Sequence, residues 1–327
     1  MSKRFKGDHS TVVVAVAPDK HAANLVQAAA SLCKRTGMRL RLVQVAEYWA
    51  GRSWPREITL EGPLAEAITA VEDESLRTAQ AHLRKLAESV PREVTVEINA
   101  IAGFPAEGVI ADAVANKAAI IFTGASKGSH RFVPKGLSTA LTLMSDSPVP
   151  VIVLQEGCVT DFSKRDFGVL LADDLSDHSE SAVMTGYDFA AALGGTSLQH
   201  LHVNGLTEES LKISLEAASA ASHAGSMRGL TGKEIFAMAM NALDQKMKAR
   251  APGRRLLLEA AGGKYRSEIV TGDVADELQV VASRSAVDML IFGRHRSFRR
   301  KPFLIGQLPF YAMLTPSRPI MVVPSEI

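Results

Sequence analysis

Short apolar runs alternate with stretches of helical periodicity along the whole chain. Residues 11–17 (TVVVAVA) form a β-branched run closed by Pro18 and Asp19, the pattern of a strand buried on both faces. Ala22, Leu25, Val26, Ala29, Leu32 and Cys33 then recur at helical spacing until Gly37 stops the helix. Residues 39–46 read as a second strand, 47–63 (with Trp49, Trp54 and Pro55) as an irregular excursion, and 64–89 as a long amphipathic helix. A third strand over 94–101, a helix over 105–116 with Pro105 in its first turn, and a fourth strand over 119–123 follow. A loop, a helix to about 145 and a fifth strand over 150–154 close this series.

The series then restarts. Strand, helix and strand are predicted over 167–173, 179–193 and 197–203, and helical stretches over 207–224 and 231–249. Residues 254–261 fit a helical turn or a strand equally well, because Pro252 and Gly253 break the preceding helix. Strand, helix, strand, helix and strand over 265–271, 275–285, 289–292, 307–314 and 320–323 complete it. Such alternation implies right-handed crossovers and a parallel sheet covered on both faces.

The repetition is measurable. Gly103 and Gly272, Gly124 and Gly293, and Pro150 and Pro319 are each 169 positions apart, whereas His21 and His178 are 157 apart. The difference places about 12 extra residues in the middle of the second half. Two halves are therefore expected, 1–157 and 167–327, joined across 158–166; the whole polar stretch EGCVTDFSKRD, residues 156–166, reads as the link. The most telling repeated stretch is AAIIFTGASKGSHRFVPKGLS from Ala118 and VDMLIFGRHRSFRRKPFLIGQ from Val287. Each runs strand, glycine, loop and helix start, an order that presents free backbone N–H groups to an anion.

Composition narrows the classes. With 327 residues, 46% hydrophobic and 22% charged, the chain has the makings of two ordinary cores. A net charge of +2 gives no reason to expect nucleic acid or an anionic membrane as partner, and no apolar run approaches bilayer length. The start, MSKRFKGDHS, lacks the apolar core of a secretory signal. Two cysteines, Cys33 and Cys158, point to a reducing cytoplasm rather than a disulfide framework.

These features resemble the universal stress protein family, twice over. VLLADDLSDHSESA is similar to the family's first strand and turn with Asp174 at its acidic position, VTGDVADEL to the turn after strand three, and PVPVIVL and SRPIMVVP to the closing strand. The half-one counterpart of the third turn is IAGFPAEGV, around Gly103 and Pro105. The resemblance implies two tandem doubly wound five-stranded parallel α/β domains of the adenine nucleotide alpha hydrolase-like type. It also implies an intramolecular pseudo-dimer paired through the last strands, 150–154 and 320–323. In many members an adenine nucleotide, ATP or AMP, lies across the sheet's C-terminal edge, held by Gly-x-x-Gly, about nine residues, then Gly-Ser or Gly-Thr.

Both halves depart from that pattern. Half one offers Gly124, has Lys127 where the next glycine belongs, and displaces Gly128 and the Gly136, Ser138, Thr139 element; Ala17 replaces the acid. Half two keeps Asp174 and Gly293 but has Arg296 in place of the second glycine, with Arg294 in the same basic loop, and Gln307 after Gly306. Gly103 and Gly272 mark the third turns. The reading favours half one for a nucleotide, with Lys127 and Ser138 or Thr139 meeting phosphate oxygens. The basic loop of half two, residues 294–301, reads as a solvated face or partner contact.

Other candidates have plainer readings. Asp174 could orient a ribose or support a turn. His200 and His202 share a strand face but have no third ligand nearby, so buried imidazoles are expected and no metal. The Met-rich helix is expected to pack through Ile235, Met238, Met240, Leu243 and Met247. No phosphate-loop, zinc-helix or nucleophile-elbow motif occurs, and no catalytic residue can be named. Three functions stay open: a non-enzymatic nucleotide-responsive stress protein, a nucleotide-independent scaffold binding a protein or other ligand through its basic loop, and a weak ATPase. A protein partner is expected, and a further homodimer stays open.

Overall fold

The computed structural model describes residues 5–7, 10–47, 62–125, 139–205, 207, 209–210, 212–213, 231–294 and 318–325. The first half supplies β1 (Thr11–Ala15), α1 (Ala22–Thr36), β2 (Arg39–Glu47), α2 (Pro63–Glu88), β3 (Val96–Gly103), α3 (Pro105–Ala115), β4 (Ala118–Ala125), α4 (Thr139–Asp146) and β5 (Val151–Gln155). The second supplies β6 (Gly168–Ala172), α5 (Glu180–Leu193), β7 (Ser197–Asn204), α6 (Gly232–Ala249), α7 (Pro252–Ala260), β8 (Lys264–Thr271), α8 (Val274–Arg284), β9 (Met289–Arg294) and β10 (Ile320–Pro324). The excursion at 48–61, most of the 207–224 stretch and the 307–314 helix lie outside the described residues.

All ten strands form one sheet in the order β3-β2-β1-β4-β5-β10-β9-β6-β7-β8. Neighbours within each half are parallel. At the centre β5 and β10 run antiparallel, with Ile320 opposite Val153, Met321 opposite Ile152 and Val322 opposite Val151. The chain is thus an intramolecular pseudo-dimer joined through its two last strands. Its β-branched runs suit this position, because side chains alternate between two covered faces. Val12 and Val14 enter one core and Val13 the other, and both cores continue across the centre from half to half.

The invariant spacing of two glycines has a backbone cause. Gly103 and Gly272 have φ of 146° and 151°, a region that side-chain-bearing residues rarely adopt. Each turns the chain from a strand end into the following helix. In half two Asp273 completes the turn, its Oδ1 accepting from the backbone N–H of Ala275 at 2.9 Å and of Asp276 at 3.1 Å.

Three expectations need correction or completion. The polar link between the halves is no solvated tether: Phe162 within it is 0% exposed and Cys158 is buried. The Phe162 ring stacks on Phe167 at 4.9 Å and meets Phe122 and Phe189 edge-on at 5.8 and 6.3 Å, joining both halves. One aromatic among ten mostly polar neighbours is easily averaged away in a composition reading. The 254–261 stretch is helical, as part of α7. In α6, Met247 is buried, but Met238 is 61% exposed and points away from the packed side.

Arginine side chains cross between the halves in both directions. Arg35 of α1 donates to Leu193 O at 2.6 Å, Phe162 O at 2.6 Å, Arg165 O at 3.3 Å, and the carbonyls of Lys164 and Gly194. It therefore caps the C-terminus of α5 and ties down the link. Conversely, Arg294 at the end of β9 donates to Met144 O at 3.2 Å and Ser147 O at 2.9 Å, capping α4 of the first half. Phe162→Ala is expected to cost about 3–5 kcal/mol by urea unfolding. Arg35→Lys is expected to cost about 1–3 kcal/mol, because an ammonium cannot reproduce the planar fork. Losses well below these would show that the link is a passive connector.

Candidate functional site

In half one the strand order reverses between β1 and β4, and a crevice of about 890 Å³ opens beyond their C-terminal ends. This is where open parallel sheets hold ligands, because the two connections leave in opposite directions and part there. Its floor is Ala15, Val16, Ala17 and Thr123, Gly124, Ala125; α2 walls it with Glu74, Ser75 and Thr78, and Thr139 at the start of α4 closes another side. Among the described residues, a Cβ built on Gly124 would meet no atom within 4 Å. Most of the wall is aliphatic, from Leu25, Val43, Val45, Val109 and Leu154. Such a surface suits a flat, largely apolar group.

Polar chemistry gathers at the rim. Glu156, just past β5, lies 3.2 Å from His21 Nε2 and 3.5 Å from Lys20 Nζ. Asp19 Oδ1 accepts from the His21 backbone N–H at 2.8 Å, shaping the turn after β1. On the wall, Gln44 Oε1 is 2.7 Å from His82 Nδ1. With Ala17 at the family's acidic position, Asp19 and Glu156 are the carboxylates that line this end of the crevice. Glu156 was assigned to the link and His21 to the duplication alone. The register of β5 beside β4, with Gly124 opposite Leu154, is what brings Glu156 to the same edge.

The sequence-derived residues are therefore dispersed. Gly124 and Thr139 share the crevice, and Gly103 lies just before its Pro105 wall. Lys127, Gly128, Gly136, Ser138, Arg296 and Gly306 are outside the described residues. Gly272 shapes a turn. Asp174 is exposed, and its Oδ1 accepts from Ser176 N–H at 3.0 Å and Ser176 Oγ at 2.8 Å, so it supports a turn. Arg294, the first residue of the basic loop read as a solvated face or partner contact, is 5% exposed and engaged with α4. A guanidinium can satisfy several carbonyls at a helix end, and here that end lies across the centre of the sheet.

Half two has a buried polar network instead. Asp173 and His200 side chains are 0% exposed, with His200 Nε2 at 3.1 Å from Asp173 Oδ2 and the Tyr187 hydroxyl at 3.2 Å from His200 Nδ1. Ser179 Oγ and the Leu175 N–H donate to Asp173 Oδ1 at 2.6 and 2.8 Å. His202 Nδ1 lies 2.8 Å from the Asp173 carbonyl. Burial alone would raise the Asp173 carboxyl, but the bonds from His200 and Ser179, the nearby imidazole and the Leu175 N–H hold it below the usual range. Ser179 bonds to the carboxylate rather than to the imidazole, so the three do not activate a nucleophile. Among the described residues no three His, Cys, Asp or Glu side chains are placed to hold a metal ion, and no helix is long and apolar enough to cross a membrane.

The architecture is that of a duplicated, doubly wound α/β protein with a ligand-type crevice at a strand-order switch. The model of the universal stress protein family matches residues 9–155 and again 168–324, and the chain belongs to that family as a tandem member. It is similar in fold to a universal stress protein from Archaeoglobus fulgidus, at 14% identity and a TM-score of 0.61, with 98% of each chain covered. It is likewise similar to a functionally unknown protein from Pseudomonas aeruginosa PAO1, at 14% identity and a TM-score of 0.56, over 99% of this chain and 95% of that one. No curated protein matches the chain significantly.

Because the folded-state pKa of Asp173 is depressed, its contribution to stability is present above the unfolded value of about 3.9 and is lost as pH falls through the folded value. Asp173→Asn is expected to cost about 3–5 kcal/mol near neutrality by breaking a buried charged network. It should also flatten the acid limb of stability against pH. An unchanged acid limb in urea titrations across that window would remove Asp173 as its source.

Proposed function

We propose that the protein is a cytoplasmic, non-enzymatic stress-response protein whose state is set by a small molecule, an adenine nucleotide such as ATP or AMP, in the first-half crevice. The observation that carries this reading is the open 890 Å³ crevice over Gly124 at the switch point. Its aliphatic walls would sandwich a base, and Asp19 and Glu156 would meet ribose or base donors at the rim. Lys127, Ser138 and Thr139 are the residues proposed for phosphate. Cys33 and Cys158 are buried free thiols, and burial raises both above the ordinary thiol pKa. Inert thiols of this kind suit a reducing compartment.

Binding to the native state alone stabilises by mass action, about 2.7 kcal/mol at a hundred times Kd. ATP or AMP is therefore expected to raise the unfolding temperature in a concentration-dependent way, and Gly124→Trp to remove that protection while the apo protein still unfolds cooperatively. Protection by neither nucleotide would discard the reading. Phosphate release abolished by Lys127→Ala would replace it with the ATPase.

A further inference from the structure

We propose that the second-half equivalent of the first-half crevice is filled from within at the turn after β6, Arg250 standing where a ligand would. The proposal rests on reading the first crevice as a binding site, and deepens it by setting the two halves apart in ligand access.

Strand register makes the two halves comparable residue by residue. Val14 pairs with Leu42 in half one, and Leu171 with His200 in half two. Two residues further on, the N–H of Val16 donates to Val43 O at 2.8 Å and that of Asp173 to Leu201 O at 2.9 Å. Asp173 thus occupies the place of Val16, and His200 that of Leu42. The spacing of 157 that relates β1 to β6 likewise sets Ser179 over Ala22 and Tyr187 over Ala30. Val16, Leu42, Ala22 and Ala30 all belong to an apolar core. Four apolar positions in one copy have become one hydrogen-bonded polar cluster in the other.

The cluster is completed from above. In half one α2 runs unbroken from β2 towards β3, whereas half two splits this element into α6 and α7. The break falls at Ala251, whose φ of 44° and ψ of 47° are left-handed, and at Pro252. For a residue with a side chain such a conformation costs about 1–2 kcal/mol, so the surroundings must hold it. What holds it is Arg250. Its Nη2 donates to Ser176 O at 2.5 Å and Ser179 Oγ at 3.4 Å, and its Nε lies 3.5 Å from Asp173 Oδ2. Ser176 is in the turn after β6, and the matching turn after β1 lines the open crevice. The guanidinium therefore sits on the turn that a ligand in half one would meet.

Two further contacts close the same space. A Cβ on Gly293 would come within 3.3 Å of Ala182 Cβ and 3.7 Å of Ser179 Cα, whereas its counterpart Gly124 has nothing within 4 Å. At the end of β7, Asn204 Nδ2 lies 3.7 Å from Met240 Sδ of α6.

Thiol labelling tests the closure without assuming any ligand. In the full chain, Gly124→Cys is expected to react readily with a neutral maleimide of nucleoside size. Gly293→Cys should react at least about tenfold more slowly, because reaction must wait for a local opening. The wild type, with Cys33 and Cys158 buried, supplies the background. If Gly293→Cys fails to fold, the register-equivalent pair Ala15→Cys and Ala172→Cys provides the same comparison. Adding Arg250→Ala should bring the slow site close to the fast one. Equal rates in the two halves, or a slow site indifferent to Arg250→Ala, would overturn the proposal. Absence of ATP or AMP binding with the labelling contrast intact would sink only the nucleotide reading, and nucleotide protection with equal labelling would sink only this one.

Discussion

The antiparallel pairing of β5 with β10 is the constraint on which the rest of the molecule depends. Each half-sheet, taken alone, ends in a strand with unpaired backbone groups and apolar side chains on both faces, and such an edge invites aggregation. Placing the two edges together satisfies both ladders and makes the cores on either face continuous. The central pairing also dictates what else must cross. Phe162 fills the space between β4, the approach to β6 and α5, while Arg35 and Arg294 each cap a helix of the opposite half. Helix C-termini carry unsatisfied carbonyls, and where two halves meet out of water those carbonyls need donors from the neighbour.

Once the halves share one chain, nothing requires them to stay alike. In a dimer of identical subunits every substitution appears twice, so a change that closes one crevice closes both. Here the apolar set Val16, Leu42, Ala22 and Ala30 and the polar set Asp173, His200, Ser179 and Tyr187 coexist on equivalent backbone positions. A buried polar cluster is tolerable only when nearly every member is satisfied. In the second half Ser179, the Leu175 N–H and His200 supply the Asp173 carboxylate, and Arg250 adds an ion pair from a broken helix. The first half has no such demand and leaves its strand ends open.

Much of this was legible from local pattern. The β-branched runs named their strands, and Gly103 and Gly272 recur because a positive φ is needed at the same turn. The His200 and His202 imidazoles, read as buried or half-buried on a shared strand face, are both buried. What escaped was residue partnership. Glu156 reads as the start of a polar link until β5 is laid beside β4, and Phe162 reads as an incidental aromatic until three other rings meet it. Arg294, first in a run of basic residues that reads as a solvated face or partner contact, donates to a helix in the other half.

By itself the sequence determined the alternation of strands and helices, the duplication, and the turns that demand glycine. These depend on periodicity and on backbone conformations set within a few residues, so they can be read from neighbours in the chain. Only the tertiary structure decided which charges meet a carbonyl across the centre, and which equivalent positions of the two halves are apolar or polar. Those outcomes depend on groups 150 or more positions apart coming within a few ångströms, as Arg294 and Met144 do, and Arg35 and Leu193. A side chain's chemistry is local, but the cost of burying it is set by whichever distant partner packing delivers.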